Sequence, residues 1–146
     1  MLFWTEDKSG TDQTSIEENI GDYFTQNTPL LDTYSGAAAA YSLRRLSSTY
    51  TGDAVEVYNG SSYADIGFNV FGELDTVALA AHCGSNDGFV SKWYDQSGNT
   101  NTAAQTATGL MPKIYDGSTG VELENGKPCV FVSGAGDFLQ TSAGIV

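Results

Sequence analysis

The sequence predicts a mainly β fold, a β-sandwich or jelly roll with two short helices laid against it. Three observations carry that expectation. Short apolar runs alternate with polar residues, as strands with one buried face must. They are separated by Asn59-Gly60, Asp116-Gly117 and Asn125-Gly126, dipeptides whose φ preferences suit tight hairpin turns. Charged residues make up only 16% of the 146, while 17 glycines and eight tyrosines suit a turn-rich β protein.

The elements follow in order. Residues 1–33 hold seven acids against Lys8 and read as an acidic N-terminal arm serving attachment or assembly. Ser15 and Glu18 have capping-box spacing, which predicts a short helix over Ile16–Phe24. Gly36–Ser48 is rich in helix formers, with Ala39, Leu43 and Leu46 near helical spacing, and predicts a second helix ending at Arg44 and Arg45. Ala54–Tyr58 and Ser62–Ile66 then form a hairpin around Asn59-Gly60. Asp75 caps a helix running to about Ala81 and stopped by Gly84. Gly88–Tyr94 is a strand with Phe89, Ser91 and Trp93 on one face and Val90, Lys92 and Tyr94 on the other. Asn99–Gly109 has no period and reads as a surface loop. Met111–Tyr115, Val121–Leu123, Pro128–Val132 and Phe138–Gln140 complete the strands, giving one β-rich module over residues 34–146.

A net charge of −12, from 18 acidic and 6 basic side chains, repels phosphate backbones and anionic lipid. Neither nucleic acid nor membrane insertion is therefore expected, and no window approaches a membrane span. Met1-Leu2-Phe3-Trp4 is too short an apolar run for a signal peptide. Cys83 and Cys129 lack the spacing of a zinc site and are expected as free, buried thiols.

The loop after the 88–94 strand, Trp93-Tyr94-Asp95-Gln96-Ser97-Gly98-Asn99, is polar and carries a glycine, the composition of functional loops. Trp93, Tyr94, Asp95, Gln96 and Asn99 are its candidate ligand-binding residues. An aromatic ring there can stack on a sugar, and alternation lets only one of Trp93 and Tyr94 face outward. For Asp95 the stronger expectation is an Asx turn, its carboxylate accepting N–H groups of Ser97 or Gly98. Glu122 and Glu124 share a strand face but read as exposed hairpin charges. His82 stands beside Cys83 on one helix, where adjacent side chains diverge, so it reads as structural. No catalytic residue is assigned, and no metal or cofactor is expected. A calcium ion on loop carbonyls with Asp95 or Asp137 has no support in the sequence.

The run Ala37–Leu46, the segment Ala64-Asp65-Ile66-Gly67-Phe68, the helix start Glu73-Leu74-Asp75-Thr76 and the loop 93–99 occur in an order that resembles the arabinofuranosidase B catalytic domain. The resemblance spans about Leu30 to Leu139 and implies a concanavalin-like sandwich. The nucleophile and general acid of those enzymes lie farther downstream than this chain extends, so no catalytic residue carries over. They also place a cysteine five positions after the one matching Cys83, where this chain has Gly88. Virion structural proteins of tailed phages look similar over the same stretch and continue into a LamG-type domain. That resemblance implies a non-enzymatic virion component, a capsid decoration or a head or tail fibre part, assembled in the bacterial host cytoplasm. Its implied partners are other virion proteins, met through the N-terminal arm, a host-surface glycan, and further copies of itself, a trimer by analogy. An arabinofuranosidase-like hydrolase fragment and a carbohydrate-binding module are the alternatives. A full concanavalin-like sandwich needs more strands than remain here, so a reduced or C-terminally incomplete fold is expected.

Overall fold

The computed structural model describes residues 28–134 and 136–141. The helix expected over Ile16–Phe24 lies outside them, as does most of the arm. The architecture is mainly β and antiparallel, of sandwich type, with two α-helices among the described residues. The elements are α1 (Leu30–Thr33), β1 (Val55–Tyr58), β2 (Tyr63–Ile66), α2 (Thr76–Cys83), β3 (Gly88–Trp93), β4 (Ala103–Ala104), a 3-10 turn (Thr108–Leu110), β5 (Lys113–Asp116), β6 (Gly120–Val121), β7 (Leu123–Glu124), β8 (Lys127–Pro128) and β9 (Gln140–Thr141).

The β1–β2 hairpin forms where the sequence places it, with Tyr58 opposite Tyr63 and Glu56 opposite Asp65. Its loop is four residues long, closed by Asn59, whose Oδ1 accepts from the N–H groups of Ser61 and Ser62 at 3.0 and 2.9 Å. Gly60 sits at φ +92°, where a side chain would be strained. The α2 helix starts as expected: Asp75 Oδ1 accepts from Val77 and Ala78 N–H at 3.1 and 2.9 Å. His82 is structural, its Nε2 donating to the Val57 carbonyl at 3.0 Å.

Strand β3 is the hub of the sheet. It pairs with β1 on one edge, and on the other with both β4, which leads to β9, and β5, which leads to β6. A bulge modifies the expected alternation. Glu56 pairs Lys92 but Val57 pairs Val90, so Ser91 has no opposite residue. The extra residue turns Val90 and Trp93 to the same side, against Val57 and Val55, and corrects the two-face assignment made from strict period two. The core lies on that side, where Val55, Val57, Ile66 and Val90 meet Leu79 and Cys83 of α2 and Ile114 of β5.

Two further expectations are corrected. Gly36–Ser48 is not helical: it is irregular chain carrying one bridge, Arg44 to Glu73. The stretch 99–109 is not only a loop, because Ala103 and Ala104 pair with both β3 and β9, and Gln105 is buried with its N–H on the Ser91 carbonyl at 2.8 Å. Small Ala side chains permit that close strand approach without any apolar period to announce it. Both cysteines are free, Cys83 buried and Cys129 only half-buried.

Candidate ligand-binding face

The 93–101 loop turns most of its polar groups toward the chain itself. Asp95, 6% exposed, accepts four hydrogen bonds: Oδ1 from Ala40 N and Ser97 N, each at 2.8 Å, and Oδ2 from Ser97 Oγ at 2.8 Å and Asn101 N at 2.9 Å. The Asx turn is therefore present, with a longer reach than expected. Buried Gln96 accepts from Leu46 N at 2.7 Å and donates to the Ser42 and Arg44 carbonyls at 2.9 and 3.1 Å. Asn99 donates to the carbonyls of Ala37 and Ala38 at 2.8 and 3.2 Å. Tyr41 OH donates to the Asn101 carbonyl.

These bonds explain why residues 36–48 are not a helix. Their backbone groups find partners in side chains 50 to 63 positions away instead of four. Local propensity of a few tenths of a kcal/mol per residue does not outweigh such a set of buried bonds. Burial alone pushes the Asp95 carboxyl up, but the N–H groups of Ser97, Ala40 and Asn101 and the Ser97 hydroxyl outweigh it and hold the group below its ordinary value.

Trp93 and Tyr94 point to opposite sides. Trp93 lies on the core side, its ring 6.3 Å from that of Tyr41, with its indole N–H buried and without an acceptor among the described residues. Tyr94 lies on the outer side, its OH donating to Asp65 Oδ1 at 2.6 Å. Burial, then that bond to a carboxylate, pushes the phenol up, so it stays neutral and donating at physiological pH.

Around Tyr94 the outer faces of β1, β2 and β3 bring together Glu56, Tyr58, Tyr63, Asp65 and Lys92. Tyr58 and Tyr63 pair across the hairpin with ring centroids 4.7 Å apart, and Tyr63 is 51% exposed. Glu56 Oε2 meets Lys92 Nζ at 2.8 Å, and Oε1 accepts from Ser91 Oγ at 2.7 Å. Burial raises the Glu56 carboxyl, but its bonds to Lys92 and Ser91 prevail and keep it ionised. Asp53, just before β1, is pushed up by burial and by the negative charge of Asp65. A cleft of about 300 Å³ opens beside these groups, lined among others by Glu56, Tyr63, Lys92, Gln105 and Met111.

This grouping is only partly legible. Asn59-Gly60 announces the hairpin but suits a two-residue turn; the four-residue loop that forms instead sets Tyr58 opposite Tyr63 and Glu56 opposite Asp65. Glu122 and Glu124 do not share a strand as expected: Glu122 is half-buried between β6 and β7, and Glu124 is exposed on β7. Asp137 Oδ2 accepts from Ser133 N at 2.8 Å. No group of three or more His, Cys, Asp or Glu able to hold a metal is found among the described residues.

No protein-family model matches the chain. No curated protein matches it either. Among solved structures, it is similar to a GH54 α-L-arabinofuranosidase soaked with a cyclic sulfate inhibitor, at 23% identity and a TM-score of 0.51. The match covers 58% of this chain and 21% of that one. It agrees with the resemblance carried by residues 30–139, and at this identity what it shows is the fold.

Proposed function

We propose that the chain is a non-catalytic β-sandwich module that binds neutral carbohydrate on the outer face of β1, β2 and β3. The supporting observation is the Tyr58–Tyr63 ring pair beside Glu56, Asp65 and Lys92: a flat apolar surface flanked by acceptors and a donor for hydroxyl groups. The 93–99 loop supports this face through Tyr94 and braces the residues around it. A net charge of −12 disfavours anionic glycans. The resemblance of residues 30–139 to phage virion proteins favours a decoration or fibre role for such a module, with virion partners and further copies of itself. Immunogold labelling of purified particles tests that placement, and unlabelled particles would remove it.

Binding is tested by calorimetry after a glycan-array screen. Tyr63→Ala is expected to weaken neutral-glycan binding about fivefold, since a stacked ring contributes roughly 1 kcal/mol. Tyr63 is half-exposed, so the melting temperature should barely move. Full affinity in that variant would remove this face from consideration.

One observation favours a second reading. Asp53 is pushed up while Glu56 is held down, and divergent carboxyl groups are what glycoside hydrolysis uses. Release of arabinose from a synthetic arabinofuranoside, abolished by Glu56→Gln, would establish the hydrolase instead.

A further inference from the structure

On another part of the molecule, α1, residues 44–48 and the turn 69–73 enclose a cavity of about 700 Å³. Its lining includes the apolar Leu30, Leu46, Val70 and Phe71 and the charged Arg44, Arg45 and Glu73. The turn is braced. Asn69 Oδ1 accepts from Phe71 N and Glu73 N at 2.9 and 3.1 Å, and the Gly72 carbonyl accepts from Arg45 N at 2.7 Å. It holds Val70 92% and Phe71 83% exposed, two large apolar side chains presented to water by a hydrogen-bonded frame.

Of the two arginines in the lining, Arg45 has no acidic partner among the described residues. Arg44 is paired with Glu73 at 3.4 Å. Arg45 has its guanidinium 5.5 Å from the centre of the Phe68 ring, and its Nε is buried without an acceptor. No carboxylate pairs with it among the described residues. In a chain with 18 acidic and 6 basic side chains, a partly buried guanidinium that meets no acid among the described residues is conspicuous. An anionic group is the complement of Arg45, and a bulky apolar group the complement of Val70 and Phe71.

We infer that this cavity docks an acidic peptide segment of a partner protein, one carboxylate meeting Arg45 while an adjacent large apolar side chain packs on Val70, Phe71 and Leu30. Arginine provides a planar, multidentate donor for a carboxylate, and stacking on Phe68 fixes its plane in advance. The overall charge of −12 opposes an acidic partner at long range, but salt confines that repulsion to about 8 Å under physiological conditions. It therefore slows approach more than it weakens the contact. Anionic lipid and nucleic acid present charge over a whole surface and meet that repulsion in full.

Fluorescence polarisation on the full chain tests this site, with a fluorescein-labelled hexapeptide carrying two acidic and two large apolar residues. Saturable binding on the order of 10 µM is expected, roughly tenfold weaker when amides replace the acids. Arg45→Ala should remove that tenfold preference, and Arg45→Lys should restore part of it. Phe71→Ser, on the exposed turn and outside the core, should weaken the acidic and amide peptides alike while leaving the melting curve in place. Equal binding of the acidic and amide peptides to the unaltered chain would overturn the inference. So would no binding at all, or concentration-dependent self-association that Phe71→Ser abolishes, which would mean that a second copy occupies the cavity.

Discussion

Asp95→Ala loses about 3 kcal/mol or more of folding stability, read as a fall of roughly 10 °C in melting temperature. The carboxylate is the acceptor for three backbone N–H groups and one hydroxyl, drawn from residues 40, 97 and 101. Removing it leaves several buried donors without partners, and each such group costs about 1–3 kcal/mol. Asp95→Asn recovers only part of the loss. Its carbonyl oxygen can serve Ala40 and Ser97, but its amide then points one N–H at another, that of Asn101. Because the folded-state carboxyl is held below its ordinary value, its ionised form is favoured by folding. That contribution is complete above the unfolded value near 4 and is lost as pH falls through the folded value. The stability gap between the unaltered chain and Asp95→Ala should thus be constant from neutrality to about pH 5 and shrink below about pH 4. A gap that persists unchanged to pH 2 in denaturant titrations would show that charge is not what the loop uses.

The second large effect is steric. A methyl group on Gly88 would stand 2.6 Å from Cys83 Sγ, 3.0 Å from Tyr115 Cβ and 3.1 Å from Val57 Cγ1. These atoms belong to α2, β5 and β1, so no single side chain can yield and solve the problem. Gly88→Ala should cost about 2–3 kcal/mol, the usual range for one extra group in a packed interior. The shortest contact is with the sulfur, and Cys83→Ala removes it. The double variant Cys83→Ala/Gly88→Ala should be more stable than the two single losses added together, by at least about 1 kcal/mol in equilibrium unfolding. Strict additivity would place the strain elsewhere than at the sulfur.

Where local chemistry decides structure, the sequence was readable. The β1–β2 hairpin follows from Asn59-Gly60, the start of α2 from Asp75 and its end from Gly84, and the turn at residue 95 from Asp-x-Ser-Gly. Where distant partners decide, it was not. Residues 36–48 have helical composition, yet Asp95, Gln96, Asn99 and Asn101 bind their backbone groups from 50 to 63 positions away. Nothing local encodes that capture. The β4 strand has no apolar period because one of its residues is a small alanine facing the interior, and the bulge at Ser91 is visible only once β1 and β3 are paired. The candidate face was only partly within reach: the hairpin was legible, but Glu56 meets Asp65 only because its loop has four residues, where Asn59-Gly60 alone suits two. The Arg45 cavity was not, because it joins three segments with no shared pattern.

Cys83 offers one more consequence. Burial, with the nearby charge of Asp87, pushes its thiol up to about 11, and only 1% of the residue meets solvent. At neutral pH it is therefore neither ionised nor reachable, whereas Cys129 sits nearer the surface. An alkylating reagent should consume one equivalent per chain quickly and the second only as fast as α2 lifts from the sheet. Intact-mass spectrometry over hours would then time the opening of the interior, with a natural sulfur atom as the stopwatch.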